Sequence, residues 1–212
     1  MKIKPLFLAG LVALGGAATV QAADAVYSVN VVGYASVDVP EGFSMIANPL
    51  DAGDNSLANV MPSPPQFTTV YKFDTIQGAF SGISFFNNGS WSNGALTLAP
   101  GEGGFIAANE AFTVTFSGEV LQGELSNPLS AGFSIISSQV PQAGSLSSLG
   151  YTPAQFDTVY KYDNAISNYT ITFYNNGSWN NGEPSLAIGE AFFLAKQNAG
   201  SWDRTFTTST DE

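Results

Sequence analysis

The sequence contains no cysteine and no histidine, and only six of its 212 residues are basic. Without cysteine, the chain forms no disulfide, no thiolate metal site and no thiol nucleophile. Without histidine, it has neither a Ser-His-Asp relay nor an imidazole ligand for a metal ion. Stability must therefore come from packing, and we predict neither a cofactor nor a metal site.

Positive charge is the scarcest property of this chain, whose 17 acidic residues give it a net charge of −11. Beyond the first few residues, the cations are Lys72, Lys161, Lys196 and Arg204, and they are scattered singly. Because polyanions are repelled by such a chain and no basic cluster is present, we expect no nucleic-acid partner and no binding to anionic lipid.

Long apolar runs are also lacking, and the longest covers residues 6–20 near the N-terminus. It follows Lys2 and Lys4 and precedes the small-residue pattern that ends at Ala22, as in an export signal. The run is shorter than the roughly 20 residues that a membrane span needs. We predict a signal peptide over residues 1–22, no membrane insertion after cleavage, and an extracellular, cell-surface or periplasmic location.

Cleavage would remove two of the six basic residues and none of the 17 acidic ones, so the net charge would become −13. With 44% hydrophobic and 13% aromatic residues, the remaining chain has enough side-chain volume for a folded core.

Three blocks of the sequence recur in the same order about 90 residues later, which indicates an internal duplication. Residues 42–46 return as 132–136. Residues 66–74 return as 155–163, with seven of nine positions identical. The third block, which contains Asn-Asn-Gly-Ser-Trp, contributes Trp91 in the first copy and Trp179 in the second.

Apolar and polar residues alternate along several segments, as they do in half-buried antiparallel strands whose apolar side faces a core. The clearest examples are residues 27–39, from Tyr27 to Val39, residues 112–117, and residues 169–173. Gly, Pro and Asn-Gly pairs separate these segments at short intervals. The pattern predicts an all-β protein made of antiparallel strands, arranged in each copy as a sandwich or a barrel-like sheet.

The duplication divides the chain into a strand segment at 23–41, one β repeat at 42–123 and a second at 132–208. Residues 123–131 resemble a short turn-rich linker because they contain Ser126, Asn127 and Pro128. Each copy also has one short stretch with helical spacing, the first of which follows Asp54 as a candidate cap. Whether the two repeats form separate domains or one pseudo-twofold unit is left open.

The segment Asn30-Val31-Val32-Gly33-Tyr34, followed by residues 42–50, resembles a set of uncharacterised secreted bacterial proteins. These proteins combine a signal peptide and an NVVGY-type opening with tandem repeats of the GFxxIxNPL, VYKxD, GxW and PGExF kind. The resemblance covers nearly all of the mature chain, although the second copy departs from it at residues 138–140 and at Ile188. It implies an exported location and a repeated β architecture, and it implies no activity.

The motif around each tryptophan has two interpretations. An exposed indole flanked by amides is typical of sugar-binding sites, and it makes Asn88, Trp91, Asn176 and Trp179 the candidate ligand-binding residues. Asn-Gly pairs on both sides of each tryptophan are equally typical of tight turns, which would place the indole at the edge of the core. We favour the structural interpretation.

Recurring carboxylates are the remaining candidates for chemistry. Asp74 and Asp163 end matching segments, and Glu102 and Glu190 lie in matching turns. A glycosidase needs two carboxylates on either side of one bond, and nothing in the sequence brings two of these together. The loop that begins at Asp51 offers oxygen ligands for Ca²⁺, but too few side chains to predict a site.

The sequence therefore predicts a non-catalytic, exported β-repeat protein that acts as a structural or interaction module. The strand over residues 27–39 is predicted either to close the first repeat or to pair with another subunit, which would drive self-association. A carbohydrate-binding module that stacks extracellular polysaccharide on Trp91 and Trp179 is the alternative.

Overall fold

A computed structural model describes residues 31–208, and the described chain is nearly all β, which confirms the predicted fold class. The predicted signal peptide and the first residues of the predicted N-terminal strand lie outside the described residues. We use repeat 1 for residues 32–119 and repeat 2 for residues 123–206, because these spans contain matching strands.

Repeat 1 contains β1 (Val32–Val39), β2 (Gly42–Ala47), α1 (Leu57–Val60), β3 (Thr69–Asp74), β4 (Ala79–Asn87), β5 (Ser90–Trp91), β6 (Gly103–Ala108) and β7 (Phe112–Glu119). Repeat 2 contains β8 (Gly123–Leu129), β9 (Gly132–Ile136), β10 (Gly144–Ser145), β11 (Thr158–Asp163), β12 (Asn168–Asn175), β13 (Ser178–Trp179), β14 (Ser185–Leu186), β15 (Phe192–Lys196) and β16 (Gly200–Phe206).

Each repeat is an open sandwich of a five-stranded and a two-stranded antiparallel sheet, and repeat 2 adds the short pair β10 and β14, so the barrel-like alternative was wrong. In repeat 1 the larger sheet has the order β2-β6-β3-β4-β5, and β1 pairs with β7 as a two-stranded sheet. Repeat 2 has the same order in β9-β15-β11-β12-β13, with β8 paired to β16. Alternate residues of the two-stranded sheet, such as Val37, Val39 and Phe116, fill the core of repeat 1 together with Val70 and Ile106 of the larger sheet.

The first strand of repeat 1 follows one of the predicted alternatives, whereas the first strand of repeat 2 differs from the prediction. β1 pairs with β7 of its own repeat along its whole length, which is the first of the two predicted alternatives. The segment predicted as a linker is β8, and it makes the equivalent pairing with β16. Pro128 suggested a turn, but β8 is paired on one side only, and proline is tolerated at such an edge because the strand can do without its N–H there.

The predicted helical stretches are one short helix and one turn. α1 begins after Ser56, which is the N-cap residue in place of the predicted Asp54, and Asp54 instead accepts a hydrogen bond from the Ser56 N–H at 3.0 Å. In repeat 2 the matching stretch is a single turn closed by the bond from the Leu149 N–H to the Ser145 carbonyl. Within residues 31–208 no helix has the length and hydrophobicity needed to cross a membrane.

The two repeats pack against each other through a shared apolar cluster. Its buried members come equally from both repeats: Met45, Ala47 and Phe105 from repeat 1, and Ile135, Ala191 and Phe193 from repeat 2. Backbone hydrogen bonds join the repeats in a pseudo-twofold pattern, from the Ala47 N–H to the Gly189 carbonyl at 2.8 Å and from the Ser137 N–H to the Gly101 carbonyl at 3.1 Å.

Strands β3 and β11 each reach across to the sheet of the other repeat. The ring of Phe73 at the end of β3 lies edge-on to Phe193, with centroids 5.1 Å apart. The ring of Tyr162 at the end of β11 lies edge-on to Phe105 at 5.0 Å. Because both contacts are buried or half-buried, the repeats form one pseudo-twofold unit with a continuous aromatic interface.

Candidate interaction site

The strands β4 and β12 each turn two apolar side chains away from the core of their own repeat. In β12, Ile171 and Phe173 are 47% and 39% exposed, whereas Thr172 between them is buried. The expectation that the apolar side of residues 169–173 faces a core was therefore wrong for Ile171 and Phe173. In β4, Ile83 and Phe85 are exposed in the same way.

The residue that β4 buries between its two exposed apolar side chains is Ser84. It is fully buried, and its Oγ accepts a hydrogen bond from the Asn93 N–H at 3.0 Å, so its burial leaves no polar group unpaired. A small polar residue therefore holds the neighbouring turn in place at this position, while the apolar residues on either side face outward.

A strained phenylalanine stands beside each of these strands. Phe67 and Phe156 have φ values of 63° and 68°, in the left-handed region that bulky side chains rarely adopt. Such a conformation costs about 1–3 kcal/mol, and both rings are half-exposed, at 58% and 48%. The same unfavourable backbone conformation therefore occurs at matching phenylalanines in both repeats.

We call Phe67, Ile83 and Phe85 the outer triad of repeat 1, and the matching residues Phe156, Ile171 and Phe173 the outer triad of repeat 2. The Phe67 N–H bonds to the Phe86 carbonyl at 2.7 Å, which fixes Phe67 next to β4. The matching bond in repeat 2 joins the Phe156 N–H to the Tyr174 carbonyl at 2.8 Å. Neither β4 nor β12 contains a charged residue.

The candidate asparagines occupy turns between adjacent strands. Asn88 and Gly89 have φ values of 50° and 80°, and Asn176 and Gly177 have values of 50° and 83°. Two successive positive φ values are typical of the type I′ turn that closes a tight hairpin. The N–H of Asn88 bonds to the side chain of Gln66 at 2.9 Å, so its backbone serves the turn.

The two candidate tryptophans are not equivalent. Trp91 is 8% exposed, its indole N–H donates to the Met61 carbonyl at 2.8 Å, and its ring packs edge-on to Phe86. The ring of Trp91 is therefore part of the core of repeat 1. Trp179 is half-buried against the core of repeat 2, with its ring edge-on to Tyr174 at 5.3 Å.

The recurring aspartates cap turns. Asp74 accepts hydrogen bonds from the N–H groups of Ile76 and Gln77, and Asp163 accepts one from the Ala165 N–H. The loop considered for Ca²⁺ is likewise used internally, since Asp51 accepts hydrogen bonds from the Gly53 N–H and the Asn55 side chain.

The recurring glutamates pair with lysines. Glu102 contacts Lys72 at 3.1 Å, and Glu190 contacts Lys161 at 2.9 Å. Burial lowers the pKa of Lys72 more than Glu102 raises it. Burial alone would raise the pKa of Glu102, but the Lys72 ammonium and the Ala99 N–H together hold it below its usual value, so this carboxylate remains ionised at neutral pH.

Two concave regions lie along the junction of the repeats. The first is an apolar cleft of about 380 Å³, lined by three phenylalanines and three tyrosines: Phe43, Phe80, Phe105, Tyr71, Tyr162 and Tyr169. The second is a polar groove of about 850 Å³ between β1 and the loops of repeat 2, where Asp38, Asp163 and the Lys161–Glu190 pair face one another. On the other side of the junction, the Asn127 side chain donates to the Gly101 carbonyl at 3.0 Å.

Sequence reasoning missed the outer triads, although it listed part of one of them as core residues. The sequence did contain one signal, because alternating apolar residues stand close to the tryptophan turn motif in both copies. An alternation of apolar and polar residues, however, does not tell which side of the strand faces the core. Comparison with known proteins finds no matching family model, no matching curated protein and no matching solved structure.

Proposed function

We propose that this chain is an exported, non-catalytic interaction module that self-assembles on the cell surface or outside the cell through its two outer triads. The observation that carries the proposal is the strained, half-exposed phenylalanine that stands in both repeats beside an outward-facing apolar strand. Strain at an exposed aromatic residue does not benefit the fold, so it has to serve contact with something outside the repeat.

The chemistry of the triads supports a second copy of the chain as the partner. The protein is strongly acidic, so most of its surface repels another copy. The strands β4 and β12 carry no charge, and contact between two of them would desolvate apolar groups and neutral hydroxyls only. The outer triads are therefore the places where two copies approach at the least electrostatic cost.

Two equivalent triads per molecule determine the form of the assembly. When a surface that occurs twice on one molecule binds the same surface of another molecule, each addition leaves one triad free for the next copy. When the two triads of one molecule bind two different copies, the product is a linear polymer. The free outer edge of β1, which is paired only with β7 within the described residues, offers a second contact of the predicted strand-pairing kind.

The test is the molar mass by light scattering of the mature chain and of three variants: Phe85→Ser, Phe173→Ser and the double variant. We expect polymers for the unsubstituted chain, at most dimers for each single variant, because one active triad remains, and monomers for the double variant. A monomeric unsubstituted chain at all concentrations tested would refute self-assembly.

Ile76→Ser is the matched control, because Ile76 is 99% exposed at the tip of the β3–β4 hairpin and belongs to neither triad. It should polymerise like the unsubstituted chain. Deletion of residues 23–40 is unsuitable as a test, since Val37 and Val39 belong to the core of repeat 1 and their loss would unfold it.

Carbohydrate binding is the second candidate, and the aromatic cleft at the junction favours it. Tyr71, Tyr162 and Tyr169 combine ring faces with hydroxyl groups in one concave region, which suits a sugar ring. The binding of extracellular polysaccharides, measured by titration, should then be weakened by Tyr162→Ala. Trp179→Ala would test the alternative that the sequence suggested, in which the sugar stacks on the tryptophan. Trp91 is not a suitable probe because its substitution would disturb the core.

A further inference from the structure

A group of buried polar side chains in repeat 2 has no counterpart in repeat 1. Asp157 and Lys196 form an ion pair with 2.7 Å between Oδ2 and Nζ, and their side chains are 1% and 6% exposed. The hydroxyl of Tyr151, itself 2% exposed, donates to the same Oδ2 at 2.5 Å, and the Ala154 N–H donates to it at 2.8 Å.

The sheet register fixes this contact. Thr158 of β11 is paired with Ala195 of β15, so the next residues outward, Asp157 and Lys196, are neighbours on adjacent strands. The ammonium also lies 5.7 Å from the centre of the Tyr151 ring. The carboxyl and amino groups are therefore held together in a water-poor site by the most regular part of the fold.

Repeat 1 lacks every functional group of this site. Pro62 and Pro65 stand in place of the residues that supply the hydroxyl and the N–H. Thr68 stands in place of the carboxylate, and Ala108 in place of the amine. Repeat 1 folds with the same strand order, so the architecture does not need an ion pair here. Burying two charges is costly when their hydrogen bonds are incomplete, and Asp157 Oδ1 has no hydrogen-bond partner within the described residues.

We propose that Lys196 and Asp157 condense to an intramolecular amide that crosslinks β15 to the start of β11. A carboxylate and an ammonium in contact, shielded from water, are the two reactants, and the product removes both charges from the buried site. Such a bond would give this cysteine-free exported chain the covalent link that a disulfide provides elsewhere.

The reaction balances without any co-reactant. One ammonium proton passes to the carboxylate, and the resulting amine attacks Cγ of Asp157. The Nζ–Cγ bond forms as the bond from Cγ to Oδ1 breaks, and Oδ1 leaves as water after it has received two protons that came from Nζ. Nothing is oxidised or reduced, and the product is one amide and one water molecule.

The surrounding donors suit this reaction. Negative charge develops on Oδ2 during the attack, and the Tyr151 O–H and the Ala154 N–H both point at that atom. Burial, followed by the bond to Asp157, raises the pKa of the Tyr151 hydroxyl, so it keeps its proton and remains a donor. The oxygen that lacks a partner, Oδ1, is the one that departs.

The test is a tryptic digest of the denatured, exported protein followed by mass spectrometry. An unlinked chain yields the separate peptides 73–161, 162–196 and 197–204. The linked chain yields 73–161 joined to 162–204, uncut after Lys196 and lighter than the sum of the two by one water. Both products lie away from the chain ends, so the cleavage site of the export signal does not affect the result.

Three variants make the assignment specific. Lys196→Arg keeps the positive charge and the tryptic site, and should abolish the linked product. Lys161→Arg alters the half-exposed pair with Glu190 and should leave the link to Asp157 intact. Tyr151→Phe should reduce the linked fraction. Recovery of the free peptide 162–196 in full amount from the unsubstituted protein would overturn the proposal.

Discussion

Repeat 1 and repeat 2 have the same strand order, yet they fill their interiors differently. Within the described residues, the cluster inside repeat 1 contains seventeen buried apolar residues, and the one inside repeat 2 contains ten. Repeat 2 adds the buried polar group around Asp157 where repeat 1 has Thr68 and Ala108. The comparison shows that this fold tolerates different core solutions.

The exposed features that the two repeats share are therefore more informative about function than the residues in their cores. Both keep the outward-facing apolar strand, the strained phenylalanine and the reciprocal aromatic contacts across the junction. Several buried residues are also identical in the two repeats, such as Val70 and Val159 or Leu98 and Leu186. The shared outer residues differ from these because they are apolar and exposed, which is why we propose that they form an interaction surface.

The largest effect is expected from the two tryptophans, which occupy matching positions at different depths. Trp91→Ala should lower the free energy of unfolding by about 4 kcal/mol, because it empties a core site and leaves the Met61 carbonyl without its donor. Trp179→Ala should cost about half as much, since Trp179 is only half-buried. Denaturant unfolding measures both, and equal losses would contradict the assigned difference in depth.

The next effect concerns the polar core of repeat 2. Asp157→Thr, which introduces the residue found in repeat 1, should cost at least about 3 kcal/mol, because it removes the proposed link and leaves the buried Lys196 ammonium without a counter-ion. The double variant Asp157→Thr/Lys196→Ala should be more stable than the single one. If urea unfolding shows the double variant to be the less stable, the residues that repeat 1 has at these positions cannot replace those of repeat 2.

A substitution at the junction of the two repeats should have a smaller effect on stability, and a second substitution on the facing repeat should reverse much of it. A Cβ atom at Gly103 would lie 2.6 Å from Ala191 Cβ and 2.5 Å from Ile135 Cγ2. Gly103→Ala should therefore destabilise the chain by about 2 kcal/mol through overpacking. Adding Ala191→Gly should restore much of the loss, since the two residues occupy matching places. Thermal melts that show purely additive effects would contradict the pseudo-twofold packing.

The smallest effect on stability is expected at the strained phenylalanines. Phe67→Asn introduces a residue that tolerates positive φ, and it removes a ring that is more than half exposed. The relief of strain offsets the lost contact, so the free energy of unfolding should change by less than about 1 kcal/mol. A loss of several kcal/mol in chemical denaturation would mean that the ring supports the fold.

Much of the architecture could be predicted from the sequence because strand periodicity and turn chemistry are local. The alternation in β1 and β7 and the Asn88-Gly89 turn are examples. The pairing of β8 with β16 could not be predicted, because Pro128 indicates a turn unless the strand is known to lie at an edge. The exposure of Ile171 could not be predicted either, since a sheet packed on both sides offers two apolar faces.

The most direct test of the central claim is the light-scattering mass of Phe67→Asn/Phe156→Asn beside that of the unsubstituted chain. Our account predicts that the variant is folded and monomeric, and that it loses at most about 1 kcal/mol of unfolding free energy per substituted site. It predicts that the unsubstituted chain forms polymers. An unchanged polymer mass in the folded variant would show that the strained phenylalanines do not mediate assembly and would contradict the account.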